Sequence, residues 1–84
     1  MEGFELVPGD VWGGGDLGNY KNISDTDECG RCCLNSTGCW SYEYSKTVKE
    51  CHLNSGWEPN ADQFPGYAFC EKTGYNPFMN LLHV

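Results

Sequence analysis

Ser24-Asp-Thr-Asp-Glu-Cys29-Gly-Arg-Cys32-Cys33-Leu34, then Cys39-Trp-Ser-Tyr-Glu-Tyr44, then Cys51-His-Leu-Asn-Ser55, is the stretch that decides the fold. Five of the six cysteines lie in it. Ser24, Asp25 or Thr26 can cap a helix, and Asp25 with Glu28 has the spacing of a capping box. Asp27 and Glu28 add negative charge to the first turn, where the helix dipole favours it. Asn35-Ser-Thr-Gly38 is turn chemistry, so the helix ends near Leu34. Cys29, Cys32 and Cys33 then share one face at i, i+3 and i+4, a face made to be bonded elsewhere.

Downstream, Trp40, Tyr42 and Tyr44 alternate with Cys39, Ser41 and Glu43, the period of a half-buried strand. Ser45-Lys-Thr-Val-Lys49 turns the chain, and Glu50 to Leu53 returns as the partner strand. Working outward, Phe4 to Val7 and Tyr67 to Glu71 read as strands, and Tyr20 to Ile23 as a short one. Gly13 to Gly18 reads as a loop, because glycine runs lack the side chains a strand packs. Residues 56–66 hold two prolines and read as a surface loop. The expected class is α+β, a small disulfide-rich domain over residues 1–72. In the tail, 73–84, Phe78, Met79, Leu81 and Leu82 are either an extra packing element or a leftover of processing.

At 84 residues the chain makes one domain. A chain this short buries only about 60–65% of its unfolded surface, so its core needs staples. Six cysteines supply them and imply an oxidising, extracellular or secretory compartment. The sequons Asn22-Ile-Ser24 and Asn35-Ser-Thr37 mark Asn22 and Asn35 as glycosylation candidates. No apolar run reaches the roughly 20 residues of a membrane span. No signal peptide opens the chain, so a mature domain cut from a longer precursor is expected, with Met1 as an added initiator. A net charge of −7 disfavours nucleic acid, heparin-like polyanions and anionic membranes, and serves solubility.

Six cysteines allow 15 pairings, among which sequence alone does not choose. Geometry narrows them. Adjacent Cys32 and Cys33 point apart, and pairing within the helix would constrain almost nothing. Cys33 and Cys39 bracket a short turn, Cys29 can reach Cys51 on the second hairpin strand, and Cys32 is left for Cys70. These closures would contribute roughly 2, 3.5 and 4 kcal/mol.

Other chemistries lack their parts. Cys29-x-x-Cys32 with Cys51-His52 has no second pair to complete a zinc site. A thioredoxin-like centre needs room for a βαβ sheet and no third adjacent thiol. His52 and His83 are the only histidines, the first beside a bonded cysteine and the second in the tail, so nucleophilic catalysis has no organised base. Asp10, Asp16, Asp25, Asp27 and Glu28 match no calcium-loop spacing. Gly13, Gly15 and Gly18 fit a phosphate-loop pattern without its strand and helix. No enzyme, cofactor or metal site is expected.

These residues resemble the PAN/apple domain family. Its core is a capped helix with Cys-x3-Cys, then Cys-x-x-Phe-x-Tyr on a strand, then Cys-x-Leu-Lys on the next. Cys29-x3-Cys33, Cys39 through Tyr42 to Tyr44, and Cys51-His-Leu53-Asn54 occupy those places. Gly14-Gly-Asp16-Leu17 is similar to the family's turn before the helix, and Pro65-Gly66-Tyr67 to its return into the last strand. The resemblance spans roughly residues 3–72. It implies an antiparallel β-sheet wrapped around a single α-helix, with disulfides Cys29–Cys51 and Cys33–Cys39. The chain departs from the family's pattern in lacking a cysteine before Cys29, where Cys32 stands in as the partner of Cys70. It also carries Asn54 in place of Lys.

The resemblance also implies a non-catalytic recognition module. Such modules mediate protein contacts in plasminogen-like and kallikrein-like proteases and in hepatocyte growth factor. In microneme adhesins they bind partner proteins or galactose-type sugars. Twelve aromatics, more than so small a core needs, suit sugar stacking or interface contacts (three Trp, five Tyr and four Phe). Trp12, Trp57 and Tyr67 sit in or beside loops, with Asp16, Lys49 and Asn54 as hydrogen-bonding candidates. The plainer reading makes Trp40, Tyr42 and Phe69 core and Trp57 a cover for a disulfide. The first expectation is therefore an adhesion or recognition unit of a larger secreted or surface protein, binding a protein receptor or a surface glycan. The alternative is a free-standing secreted effector such as a protease inhibitor or toxin-like scaffold. Residues 56–66 contain no Arg or Lys, which disfavours a trypsin-like target.

Overall fold

The computed structural model describes residues 3–11, 14–56, 59–63 and 65–73. Helix α1 spans Thr26–Leu34 and starts on Asp25, whose backbone is extended and whose carboxylate accepts the Glu28 N–H at 2.8 Å. The helix closes on Asn35, whose N–H donates to the Arg31 carbonyl at 3.1 Å, and Gly38 follows with φ +80°. Five strands make one antiparallel sheet: β1 Phe4–Val7, β2 Gly18–Tyr20, β3 Ser41–Ser45, β4 Glu50–Asn54 and β5 Ala68–Lys72. Their order across the sheet is β1-β5-β3-β4-β2. The expected short strand at Tyr20–Ile23 lies earlier, because Asn22 turns the backbone to φ +62° and Ile23 is buried, its N–H bonded to the Lys49 carbonyl.

The β3–β4 register pairs Tyr42 with Leu53 and Tyr44 with Cys51, and the β3–β5 register pairs Tyr42 with Cys70. These residues face the helix and, with Ile23, Cys29, Cys33 and Cys39, form the buried cluster. Helix α1 packs chiefly on β3 and β4. All five residues of β3 are buried rather than every second one. The helix covers one face of that strand, and on the other Gly14 lies against Glu43 and the Gly56 carbonyl against Ser41.

Two disulfides clamp helix to sheet: Cys29–Cys51, with a sequence separation of 22, and Cys33–Cys39, with a separation of 6. The expected third bridge, Cys32–Cys70, does not form, and both thiols are free. The reason lies in helix geometry. At about 100° per residue, Thr26 and Cys32 stand on opposite flanks of Cys29. Thr26 looks toward β5, since its hydroxyl lies 3.0 Å from the Tyr42 hydroxyl, and Tyr42 is the cross-strand neighbour of Cys70. Cys32 therefore points away from β5, and Tyr42 stands where the bridge would run.

A nine-residue helix is shorter than the roughly 12–15 residues that hold a helix in water. Its persistence rests on the cap and the two clamps. Replacing Cys29 and Cys51 together by Ser should lower unfolding free energy by about 3 kcal/mol. The Cys33/Cys39 pair should cost about 2, both read from urea denaturation.

Candidate functional site

The two faces of the sheet carry different chemistry. On the face away from the helix lies a buried polar cluster. Asn54 is 0% exposed and Glu43 3%. The Asn54 amide donates to Ser41 Oγ at 3.1 Å and to Glu43 Oε2 at 2.5 Å, while its Oδ1 accepts the Gly15 N–H at 2.5 Å. Ser41 Oγ in turn donates to the Gly56 carbonyl. Asp16 accepts from the Ser55 N–H at 2.9 Å and the Ser55 hydroxyl at 2.5 Å, which holds its carboxyl below the usual carboxylate range. The Gly14-Gly-Asp16 turn is thus fastened onto the end of β4. Gly14 lies close against the cluster: a Cβ there would come within 2.8 Å of Glu43 Oε1 and push that carboxyl aside. Gly15 adopts φ +83°, a conformation that favours glycine.

Burial pushes the Glu43 carboxyl up to about 8, outweighing the Asn54 hydrogen bond that favours its ionised form. The neighbouring carboxylates Asp10 and Asp16 push in the same direction, and His52 Nδ1 lies 3.6 Å away.

On the helix side the picture is apolar. Because α1 covers β3 and β4, the β5–β1 half of that face is left as an open groove of about 780 Å³. Phe4, Leu6 and Cys70 line its floor, and Ser24, Asp25 and Thr26 at the start of α1 form one wall. Lys46, Gln63 and Tyr67 line its remaining sides. Leu6 is 68% exposed, a large apolar side chain offered to solvent. Cys70 is 7% exposed, and burial raises its thiol.

The residues singled out from sequence fall in different places. Tyr67 lines the groove, its ring tilted against His52 with centroids 5.0 Å apart. Asn54 is sealed inside the sheet and holds a loop; it does not reach a ligand. Asp16 is exposed, but both its oxygens serve Ser55. Lys49 sits exposed on the β3–β4 turn at φ +58°, and it is Lys46 that lines the groove. Trp12 and Trp57 lie outside the described residues, as do 74–84. Tyr42 and Phe69 are core, while Trp40 is half-buried with the Lys72 ammonium 4.9 Å from its ring centroid. Leu6, Lys46 and Thr26 are not among the binding candidates read from sequence; only the placement of α1 reveals that they share a groove.

Among the described residues, no group of three or more His, Cys, Asp or Glu is placed to hold a metal ion, and no helix is long and apolar enough to cross a membrane. A helix clamped by disulfides to an antiparallel sheet, with an open groove and a fastened Gly-Gly-Asp turn, defines a small binding module. Residues 3–75 match the family model of the PAN domain, and the chain belongs to that family. No curated protein and no solved structure matches the chain. PAN domains are adhesion modules that bind protein or carbohydrate, are typically non-catalytic, and occur in extracellular proteins.

Glu43 makes stability depend on pH with a definite sign. Folded, it keeps its proton up to about pH 8; unfolded, it loses it near its ordinary value of 4.5. The folded state binds more protons between those values, so its contribution is full below the lower one and lost as pH rises through the upper one. Unfolding free energies from urea denaturation should fall from about pH 5 to 8, by at most about 1.4 kcal/mol per pH unit for one proton. Glu43→Gln, which mimics the protonated acid, should remove that slope.

Proposed function

We propose that this chain is a non-catalytic extracellular recognition module that binds a protein partner in the groove between α1 and β1, as one unit of a larger secreted or surface protein. The observation that carries this is the groove's composition. An apolar floor of Phe4, Leu6 and Cys70 is rimmed by hydrogen-bonding groups on Asp25, Thr26 and Gln63 and by one cation, Lys46. Phe4 meets Tyr42 edge-to-face with centroids 4.9 Å apart, and Tyr67 leans on His52. Leu6, aliphatic and 68% exposed, offers no ring for a sugar to stack on, so an apolar side chain from a protein is the better fit there. The net charge of −7 favours a basic partner.

The inhibitor reading is disfavoured by the 59–63 segment. It is tied down through Asn60 and Ala61, whose N–H groups both donate to the Asp10 carbonyl, and is not held out as a free loop. Asn22 and Asn35 are exposed just before and just after α1, and both sequons are proposed to carry N-glycans.

The full chain, oxidised and immobilised, should capture a protein partner from extracellular fluid. Leu6→Asp should weaken that capture at least about tenfold, because it removes an apolar contact at an exposed position without disturbing the core. Capture indifferent to Leu6→Asp, or binding on a glycan array alone, would contradict the proposal.

A further inference from the structure

The groove's floor ends at β1, and β1 stands at the edge of the sheet. The phase of its hydrogen bonds follows from two contacts. The Thr73 N–H donates to the Gly3 carbonyl at 2.9 Å, and the Lys72 N–H donates to the Trp40 carbonyl at 2.9 Å. In an antiparallel ladder bonded pairs alternate, and the register sets Phe4 opposite Lys72 and Leu6 opposite Cys70. Glu5 and Val7 therefore turn their amide groups toward β5. Phe4 and Leu6 turn theirs outward, where no other strand among the described residues pairs with them. The two residues whose side chains line the groove are the two whose backbones face outward.

The other edge is a poorer template. β2 has three residues, opens on Gly18 at φ +145°, and runs into Asn22 at φ +62°. β1 is Phe-Glu-Leu-Val, all four extended, and bears neither the Lys nor the internal Pro with which proteins blunt an edge. Its two faces differ in chemistry. Toward the helix it offers Phe4 and Leu6; on the opposite face Glu5 stands directly across from Glu71. A strand laid against β1 would place alternate residues beside Leu6 and beside Glu5.

We infer that β1 is a docking edge, which accepts an extended segment of a partner protein as a sixth strand. The segment alternates apolar residues, which enter the groove beside Leu6, with Lys or Arg, which meet Glu5. This rests on the groove reading of the preceding section and names the kind of partner that reading requires. Backbone pairing supplies affinity, and the alternation supplies specificity.

The test titrates the oxidised full chain with a short synthetic peptide alternating Val, Ile or Leu with Lys, following amide exchange by NMR. The Phe4 and Leu6 amides should exchange fast in the free protein and become protected in the complex, whereas Glu5 and Val7 are protected in both. Leu6→Pro removes an exposed side chain and, of the backbone groups, only an outward N–H, so it should leave the fold intact. It should bind the peptide about three- to tenfold more weakly than Leu6→Ala, which removes the side chain and keeps the donor. Peptide binding that shifts groove side chains while the Phe4 and Leu6 amides stay unprotected would overturn strand addition and leave the groove reading standing. No binding, equal binding by Leu6→Pro and Leu6→Ala, protection of those amides already in the free chain, or protection that appears only on self-association would also overturn it.

Discussion

Cys29 and Cys33 sit one turn apart on a helix too short to persist alone, and each is covalently tied to the sheet beneath. That clamp is the constraint on which everything else depends. Anchoring Cys29 to β4 and Cys33 to the entrance of β3 sets both the position and the rotation of α1. With the rotation set, Thr26 faces Tyr42, Cys32 faces away from β5, and Ile23, Tyr42 and Leu53 complete an interior that an 84-residue chain would struggle to build from apolar area alone.

Placing the helix over β3 and β4 leaves the remaining sheet surface uneven. The β5–β1 half of the helix face stays open, which accounts for an exposed leucine beside a buried thiol and a helix cap at the rim. The opposite face is closed by loops, and its closure is polar: Asn54 gathers Ser41, Glu43 and the Gly15 amide into one network. A carboxyl sealed in such a network retains its proton, because its desolvation outweighs the Asn54 hydrogen bond that favours the ionised form and two acids stand close by. The module therefore pairs a rigid, closed face with an open, apolar one, and the open one is suited to recognition.

Much of this was legible in the chain. The cap at Asp25, the i and i+4 thiols and the alternation through Tyr42 and Tyr44 each follow from local chemistry and together specify helix and hairpin, while the resemblance to the PAN/apple family singled out the two bridges among the pairings that geometry allows. What escaped was orientation. Cys32 and Cys70 are the right residue types, but the flank on which Cys32 projects depends on how the two clamps rotate the helix. Asn54 looked like a hydrogen-bonding candidate for a ligand because polarity at a strand end reads the same whether a loop folds over it or not. Lys49 and Lys46 are equivalent in sequence, and only the position of the β3–β4 turn relative to the groove separates them. Leu6 is an ordinary strand residue until the half of the sheet that the helix leaves bare is known.

The most direct test of the clamp is disulfide mapping of the denatured, unreduced chain after its free thiols have been alkylated. The account predicts linked peptides joining Cys29 to Cys51 and Cys33 to Cys39, with Cys32 and Cys70 both alkylated. A linkage confined to the helix, or recovery of Cys29 or Cys33 as a free thiol, would contradict it.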